Sequence, residues 1–538
     1  MQAARTPRPG FHTQLLPHRA IYLQLVSKLF RIQPIQSNHI MSGVLSRFRN
    51  ALSMPSTLEA ESEHSEKALM ERLAQRSFSD FCAERLAALR ESKQIPRLAM
   101  YQVLDNDLQS KKYVTEVAWR AVLKEAGWSR TASALTATVL LSKQPRIDKV
   151  GFGAVCPESQ LFNHIPGQQE MTDKAKVLAT LRRAATRALR GGERSFILDD
   201  FMQPTIVFRA GVPSTLHDSN AYAKFERELL ASEKTLTAMQ QQQVAWVRKQ
   251  PNVENSKGVT PSTWKSLREK HAALGSSGFQ AFFGSSILQK YMSDPMLVRG
   301  RKTDLRCFVL VSSVRPFAAF FYSDFVARTS PKAYSRNATD VGAFTVGVHL
   351  AHGQNFKASP QDNQWTPEAL ARELKSSGAI SARSADHWLH HVFRPQLKNL
   401  TSRLLWAAEP TLSKAGGHFA VFGLDVLVDS KLRCWFSEMN YSPDLSDGTS
   451  SVYKIQMQRE MLGAAFALQE EVLSSRSFGG GDPLVTRLIR AAKEKKRLPW
   501  RSPRRAELRA PGRFEPVAMS DSANPEQIHW YHDGARWH

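Results

Sequence analysis

The stretch "FAVFGLDVLVDSKLRCWFSEMNYSPDL", Phe419–Leu445, decides how this chain is read. Two apolar runs flank "DSKL", the signature of a β-hairpin. With the loop centred on Lys431-Leu432, Asp425 lies directly across the ladder from Glu438. Side chains alternate along a strand, so Glu438 and Asn440 share a face. Two carboxylates opposed in an apolar hairpin repel each other and need compensation. A divalent cation would supply it, since two carboxylates and an amide are the hard oxygen donors that Mg²⁺ takes. Arginine or water could satisfy the same pair, and the hairpin alone leaves that open.

Upstream, "GRKTDLRCFVLV", Gly300–Val311, spaces Lys302, Asp304 and Arg306 two residues apart. On a strand all three project from one face, with Leu305, Cys307 and Val309 on the other. A cation–anion–cation row can cradle a phosphate, and it can equally be a solvated ion-pair row. Arg328 in "DFVARTS" is a further cation at a strand end. Further back, "WVRKQPNVENSKGV", Trp246–Val259, carries Lys249 on a strand-like start and Lys257-Gly258 in the loop that follows. Lysines beside a small-residue loop suit phosphates, although the P-loop spacing is absent. The stretch "LFNHIPGQQEMTDKAKVLATLRRA", Leu161–Ala184, places Asn163-His164 before a Pro-Gly turn. Thr172 is then the expected cap of a helix carrying Lys174.

The rest of the chain bounds the class. At 538 residues, 42% of them hydrophobic, it has the material for two to four domains. Its net charge of +24 argues for a polyanionic partner, namely nucleic acid, an acidic membrane surface or an acidic protein. Four well-separated cysteines make no CxxC pair, which argues against a zinc site or a disulfide framework. No run of 18 apolar residues occurs. The nearest candidate, "CFVLVSSVRPFAAFFYSDF", is broken by Arg315-Pro316 and reads as a hairpin, so no membrane span is expected.

Segment by segment, residues 1–58 lack Asp and Glu and read as a basic arm or a transit-like segment. Residues 59–150 read as a helical N-terminal region. From about Gly151, strand-like runs such as "SFILDDF", "PTIVFRA" and "QAFFGSSILQKYM" alternate with helical ones, an α+β pattern with long antiparallel strands. After Ser474, "SFGGGDP" opens a basic, partly disordered tail over 475–538, in which eleven Lys and Arg from Arg487 to Arg513 face Glu494 and Glu507.

Taken in order, these stretches resemble the tubulin–tyrosine ligase-like family of the ATP-grasp superfamily. The likeness runs from about Pro157 to Leu473. It rests on "NHIPGQQEMTDKAKVLATL", "WVRKQPNVENSKGV", "LQKYMSDPMLVRGRKTDLR", "FVARTSPKAY" and "FGLDVLVDSKLRCWFSEMNYSPDL". It implies an ATP-grasp core with antiparallel sheets and flanking helices. The expected parts are an N-terminal lobe at 151–215, a central lobe at 216–292 and a C-terminal catalytic lobe at 293–474.

The resemblance also implies roles. Lys249 and Lys257 would contact ATP phosphates. Gln289, Lys290, Tyr291 and Met292 would pass the adenine, with backbone hydrogen bonds to it. Lys302, Asp304, Arg306 and Arg328 would frame the phosphates and the amino acid, and Asp425, Glu438 and Asn440 would hold Mg²⁺. The implied activity is ATP- and Mg²⁺-dependent ligation of a free amino acid, glutamate ahead of glycine and tyrosine, to a tubulin tail through an acyl phosphate. The basic tail would dock on microtubules. That activity places the chain in the cytoplasm on the cytoskeleton, including cilia or flagella, with organelle targeting by residues 1–58 left open. A non-tubulin acceptor and a non-catalytic microtubule scaffold are the alternatives, and nucleic acid is not expected. Two departures stand out. "VHLAHGQ" puts Ala351-His352 where the family has Thr-Asn, and Gln250 separates Lys249 from Pro251, so Arg248 competes for the lysine's role.

Overall fold

The computed structural model describes residues 100–103, 114–130, 137–145, 155, 160–192, 196–208, 219–250, 259–337, 340–344, 346, 360–381, 383–445, 450–477, 513–520, 528–532 and 535–537. The arm at 1–58, the helical stretch at 59–99, Lys257, the segment with Ala351-His352 and the cations from Arg487 to Arg509 lie outside them.

The fold is built around a nine-stranded antiparallel sheet. Its strands are β9 (Leu297–Val298), β10 (Arg301–Val314), β11 (Phe317–Thr329), β12 (Gln364–Trp365), β13 (Ala420–Val428), β14 (Cys434–Asn440), β15 (Phe514–Ser520), β16 (Ile528–His532) and β17 (Ala535–Trp537). The main order is β14-β13-β10-β11-β15-β16-β17. The break at Arg315-Pro316 is the expected hairpin turn between β10 and β11.

Strict alternation along β10 feeds two cores. Leu305, Cys307, Val309 and Val311 enter one core, covered by α2 (Lys174–Arg190), α5 (Pro367–Ser376) and α6 (Arg394–Ala408). Phe308 and Leu310 enter the other, beneath α1 (Val114–Glu125) and α7 (Val452–Ser477). On that second face the apolar floor stops at Phe308. Arg306, Asp304 and Lys302 continue the same row as polar side chains.

A second antiparallel sheet, order β5-β8-β6-β7, comprises β5 (Thr205–Phe208), β6 (Val244–Lys249), β7 (Val259–Thr263) and β8 (Ser286–Lys290). It packs on α3 (Ser219–Thr235) and α4 (Trp264–Phe283) through an aromatic core of Phe208, Phe225, Trp246, Phe279 and Phe283.

Four expectations change. Within 59–150 the described residues hold α1 and three strands, β1 (Met100–Val103), β2 (Ser129–Arg130) and β3 (Val139–Leu141), which are not the helical region expected. With β4 (Leu161–Phe162) they form a parallel sheet, so the boundary at 150 cuts through a structural unit. The helical periodicity of the sequence at 65–91 does not carry over to these strands, which are too short to show a period of their own.

Within the expected tail, Phe514–Ser520, Ile528–His532 and Ala535–Trp537 are strands on the β11 edge of the large sheet. Val517, Ala518 and Trp530 complete the first core, a contribution masked in the sequence by the neighbouring cations. Within "SFILDDF", Leu198–Asp200 is a single 3₁₀ turn and not a strand. The cap of α2 is Asp173, whose carboxylate accepts from the N–H groups of Ala175 and Lys176. Thr172 ends the short turn before it.

Candidate active site

The site begins at the hairpin. Asp425 does pair with Glu438, but only because of a β-bulge. Near the loop the ladder pairs Val428 with Cys434, Leu427 with Trp435 and Val426 with Phe436. Unbroken, that register would set Asp425 opposite Ser437. The extra residue at the bulge lets both Phe436 and Met439 enter the core and turns Glu438 and Asn440 to the opposite, polar face. Asn440 donates from Nδ2 towards Asp425 Oδ2 (3.4 Å) and Glu438 Oε1 (3.5 Å). Its pairing partner is Gly423, where a Cβ would lie 2.8 Å from that of Pro443 and 3.4 Å from Arg306 Nη1. Glycine here makes room for the guanidinium and for the Ser-Pro turn.

Arginine supplies the first compensation. Arg306, paired with Asp425 across β10 and β13, donates to it through Nε (2.6 Å) and Nη2 (3.0 Å). Arg328 on β11 donates to Asp304 Oδ1 (2.7 Å) and to Asp425 Oδ1 (3.1 Å). Burial alone would raise Asp425, but Arg306 and Arg328 outweigh it and hold the carboxyl at about 2. Asp304 moves the other way: burial raises it, and its single arginine offsets this only in part. Glu438, with 30% of its side chain exposed, faces Lys174 Nζ at 3.4 Å across the first turn of α2.

The central sheet adds cations. Lys249 Nζ donates to Gln289 Oε1 (2.7 Å), and Gln289 Nε2 donates to Thr205 Oγ1 (3.0 Å). Burial lowers Lys249, with Glu438 pulling it back and Lys174 pushing it further down. The competing Arg248 points elsewhere, to Phe283 O and Ser286 Oγ, so Lys249 is the residue that faces the cluster. Lys302 is buried, with Nζ 3.3 Å from Tyr291 Oη and 4.5 Å from the centre of that ring. Lys454 in the first turn of α7 is also buried, with Nζ 3.9 Å from Asp444 Oδ2. Burial pushes it down to about 8, against Asp444 and with help from Arg306 and Arg328.

Of the expected residues, Lys249, Lys302, Asp304, Arg306, Arg328, Asp425, Glu438 and Asn440 therefore converge, and Gln289 joins through Lys249. Lys290 does not: it turns to Glu228 on α3 (3.7 Å). The strand carrying it is interior, paired with β5 and β6, and the N–H groups of Lys290 and Tyr291 already donate to Pro204 O and Ala245 O. Lys454 and the role of Lys174 were missed. The sequence signal for Lys454 is small: Ser451, whose hydroxyl accepts from the Lys454 N–H, marks a helix start just after the Ser-Pro turn.

Six cations (Arg306, Arg328, Lys174, Lys249, Lys302, Lys454) thus surround four carboxylates (Asp304, Asp425, Glu438, Asp444). Such a cluster holds itself together better with an anion in it. Lys302 reports this directly. Burial and Lys249 lower it to about 8 despite Asp304. Between pH 8 and the unfolded value of about 10.4, the unfolded chain binds more protons at this position, so stability should rise with pH across that window. The rise expected is on the order of 2–3 kcal/mol. Unfolding of Lys302→Met should lack it, and pyrophosphate should move the Lys302 titration, followed by NMR of ¹³C-methylated lysines, upward. Identical pH profiles for the variant and wild type would refute this.

As a metal site, Asp425, Glu438 and Asn440 offer two carboxylates and an amide. Among the described residues no three His, Cys, Asp or Glu side chains form a metal-holding group. Mg²⁺ needs no more than one or two carboxylates when phosphates and water complete its shell, so the donor chemistry fits. Asn440 presents its nitrogen end to both carboxylates, and its oxygen end would suit a cation.

A sequence profile described as the tubulin-tyrosine ligase family matches residues 154–474, more than half of the chain. The chain belongs to the tubulin-tyrosine ligase family. It is 24% identical over 357 residues to the inactive polyglycylase TTLL10 of Homo sapiens, covering 60% of this chain and 51% of that protein. It is 24% identical over 346 residues to the tubulin polyglutamylase ttll-5 of Caenorhabditis elegans, covering 60% and 44%. A shorter match to the human tubulin polyglutamylase TTLL6 is 30% identical over 175 residues, 30% of this chain and 19% of that protein. The chain thus spans about half the length, or less, of these relatives. The family match begins near β4 and ends in α7, so it takes in both antiparallel sheets up to β14, with every converging residue above. Among the described residues, no helix is long and apolar enough to cross a membrane.

Proposed function

We propose that this member of the tubulin-tyrosine ligase family is an ATP-dependent carboxylate–amine ligase with an ATP-grasp core, which adds an amino acid, glutamate by expectation, to a tubulin tail. The observation that carries the reading is the excess of cations over carboxylates in this cluster, six to four, with Lys302 and Lys454 buried. A nucleotide triphosphate meets that charge, and membership of a ligase family supports the choice.

In this reading Lys249 and Lys302 hold phosphates from the central sheet and from β10. Arg306 and Arg328 fix Asp425 and Asp304, and they neutralise charge as the phosphoryl group moves. Asp425, Glu438 and Asn440 would hold Mg²⁺, which when bound neutralises phosphate oxygens. An acceptor carboxylate takes the γ-phosphoryl group and ADP leaves. The incoming amine then attacks the acyl carbon, and phosphate departs as the amide forms. The protein's share is alignment and charge.

The tubulin acceptor and the cytoplasmic, cytoskeletal setting are parts of the same proposal, supported by relatives named as tubulin polyglutamylases, and a ciliary or flagellar role goes with it as an expectation. The test is mass spectrometry of tubulin incubated with the protein, MgATP and each amino acid singly, with ADP release measured in parallel. A mass increment of glutamate with matching ADP is the expected result. ADP release with other proteins but not tubulin would favour a different acceptor. No ADP with any amino acid would make the chain a scaffold.

A further inference from the structure

Just ahead of α6 the chain carries three histidines in five residues, "HWLHH", His387–His391, none of them part of the catalytic cluster. Ser384 opens a helical turn, Ala385–Trp388, by accepting from the His387 N–H (3.0 Å). A π-turn follows, Leu389–Phe393, in which the Arg394 N–H donates back to Leu389 O, and α6 begins at once. Pro395 favours the wide turn, since it has no N–H for the carbonyl four residues back, that of His391. The segment buries Trp388, Leu389 and Phe393 and leaves all three histidines at the surface.

The three rings differ in what they meet. His390 is engaged: Arg394 Nη1 lies 2.7 Å from its Nδ1, while Nη2 of that arginine holds Asp324 of β11. His387 and His391 face each other, with ring centres 4.8 Å apart and an interplanar angle of 37°. Among the described residues, neither of these two side chains has a hydrogen bond or an ion pair. Positions i and i+4 are the spacing at which a helix presents two imidazoles to one metal ion. An ion about 2.1 Å from one nitrogen of each ring, with an angle at the metal between square and tetrahedral, sets the ring centres about 5 Å apart. The observed separation matches that arrangement.

We infer that His387 and His391 chelate a borderline first-row divalent cation, of the class of Zn²⁺, Ni²⁺ and Cu²⁺, with water in its remaining positions. Imidazole nitrogen suits these ions, whereas Mg²⁺ takes oxygen, so this pair and the carboxylates of the cluster sort metals by ligand type. Two protein ligands are fewer than the four of a closed structural zinc site, so the metal exchanges. Once bound, it ties the turn Ala385–Trp388 to the π-turn beside Arg394. The inference is independent of the ligase reading.

The experiment is calorimetric titration of the full chain with ZnCl₂, in excess MgCl₂ so that zinc is kept off the carboxylates. A zinc site should appear that H387Q/H391Q weakens by about a hundredfold or more, since the paired attachment is lost. H387Q alone should lose nearly as much, because one imidazole left by itself has no partner in the chelate. H390Q should keep the wild-type affinity. All three side chains are exposed, so the variants should fold, and circular dichroism of the metal-free proteins checks this. Saturating zinc should raise the melting temperature of the wild type and H390Q more than that of H387Q/H391Q. No zinc binding by the wild type would overturn the proposal, as would unchanged affinity in H387Q/H391Q. A loss in H390Q as large as in the double variant would also overturn it.

Discussion

Glu438→Gln should slow ATP turnover by about 10²–10³ while leaving the protein about as stable as the wild type. Glu438 meets a lysine and an amide, whereas Asp304 and Asp425 are clasped by arginine. Its contacts are Lys174 at 3.4 Å and the Asn440 amide at 3.5 Å, and nearly a third of its side chain meets solvent. Glutamine keeps the volume, and its single oxygen can still accept from one of the two donors. A partly exposed ion pair of this kind is worth about 1 kcal/mol or less, so the melting temperature should hardly move. On the proposed ligase reading, removing this charge is a different matter and should cost about 10²–10³ in rate. ADP release in the presence of tubulin and glutamate, with calorimetry on the same samples, reads both effects. A variant that turns over within tenfold of wild type would remove Glu438 from the catalytic assignment.

Asp425→Asn should do the reverse in stability: unfold early, whatever happens to activity. Asp425 is buried and takes three charge-assisted hydrogen bonds from Arg306 and Arg328. Neutralising it leaves two guanidinium groups close together with only Asp304 between them. Breaking a buried ion pair from one side costs about 3–5 kcal/mol, because the surviving charge stays desolvated. Urea unfolding should show the loss as a lowered midpoint at unchanged slope. The double variant Arg306→Met with Asp425→Asn should recover part of it, since the uncompensated charge is then gone. An Asp425→Asn protein unfolding at the wild-type midpoint would show that the network does not hold this sheet. Together the two variants separate the acid that is free to serve a ligand from the acid that also holds the floor of the site.

Much of this was legible in the chain. Alternation placed Lys302, Asp304 and Arg306 on one face and Leu305, Cys307 and Val309 on the other, as in the structure. The hairpin at "DSKL" and the break at Arg315-Pro316 were legible because turns carry local chemistry. The short parallel strands near the N-terminus and the strands at 514–537 were not, since two to seven residues carry little periodicity and draw their stability from neighbours distant in sequence. Lys290 and Gln289 show the same limit within a site. They are adjacent in sequence, yet one faces α3 and the other Lys249, a difference set by which face of β8 the helices cover.

The sequence by itself determined the family, the two long hairpins and the acids and bases that each strand presents, because those follow from residue type and a period of two. Only the tertiary structure decided that they form one site. The bulge in β14 turned Glu438 and Asn440 away from the core, and α2, β6 and α7 brought Lys174, Lys249 and Lys454 to them from distant points of the chain. No local preference encodes such convergence. It arises when two apolar cores close on either face of one sheet, and the polar ends of their strands and helices are left to meet where the apolar floor stops.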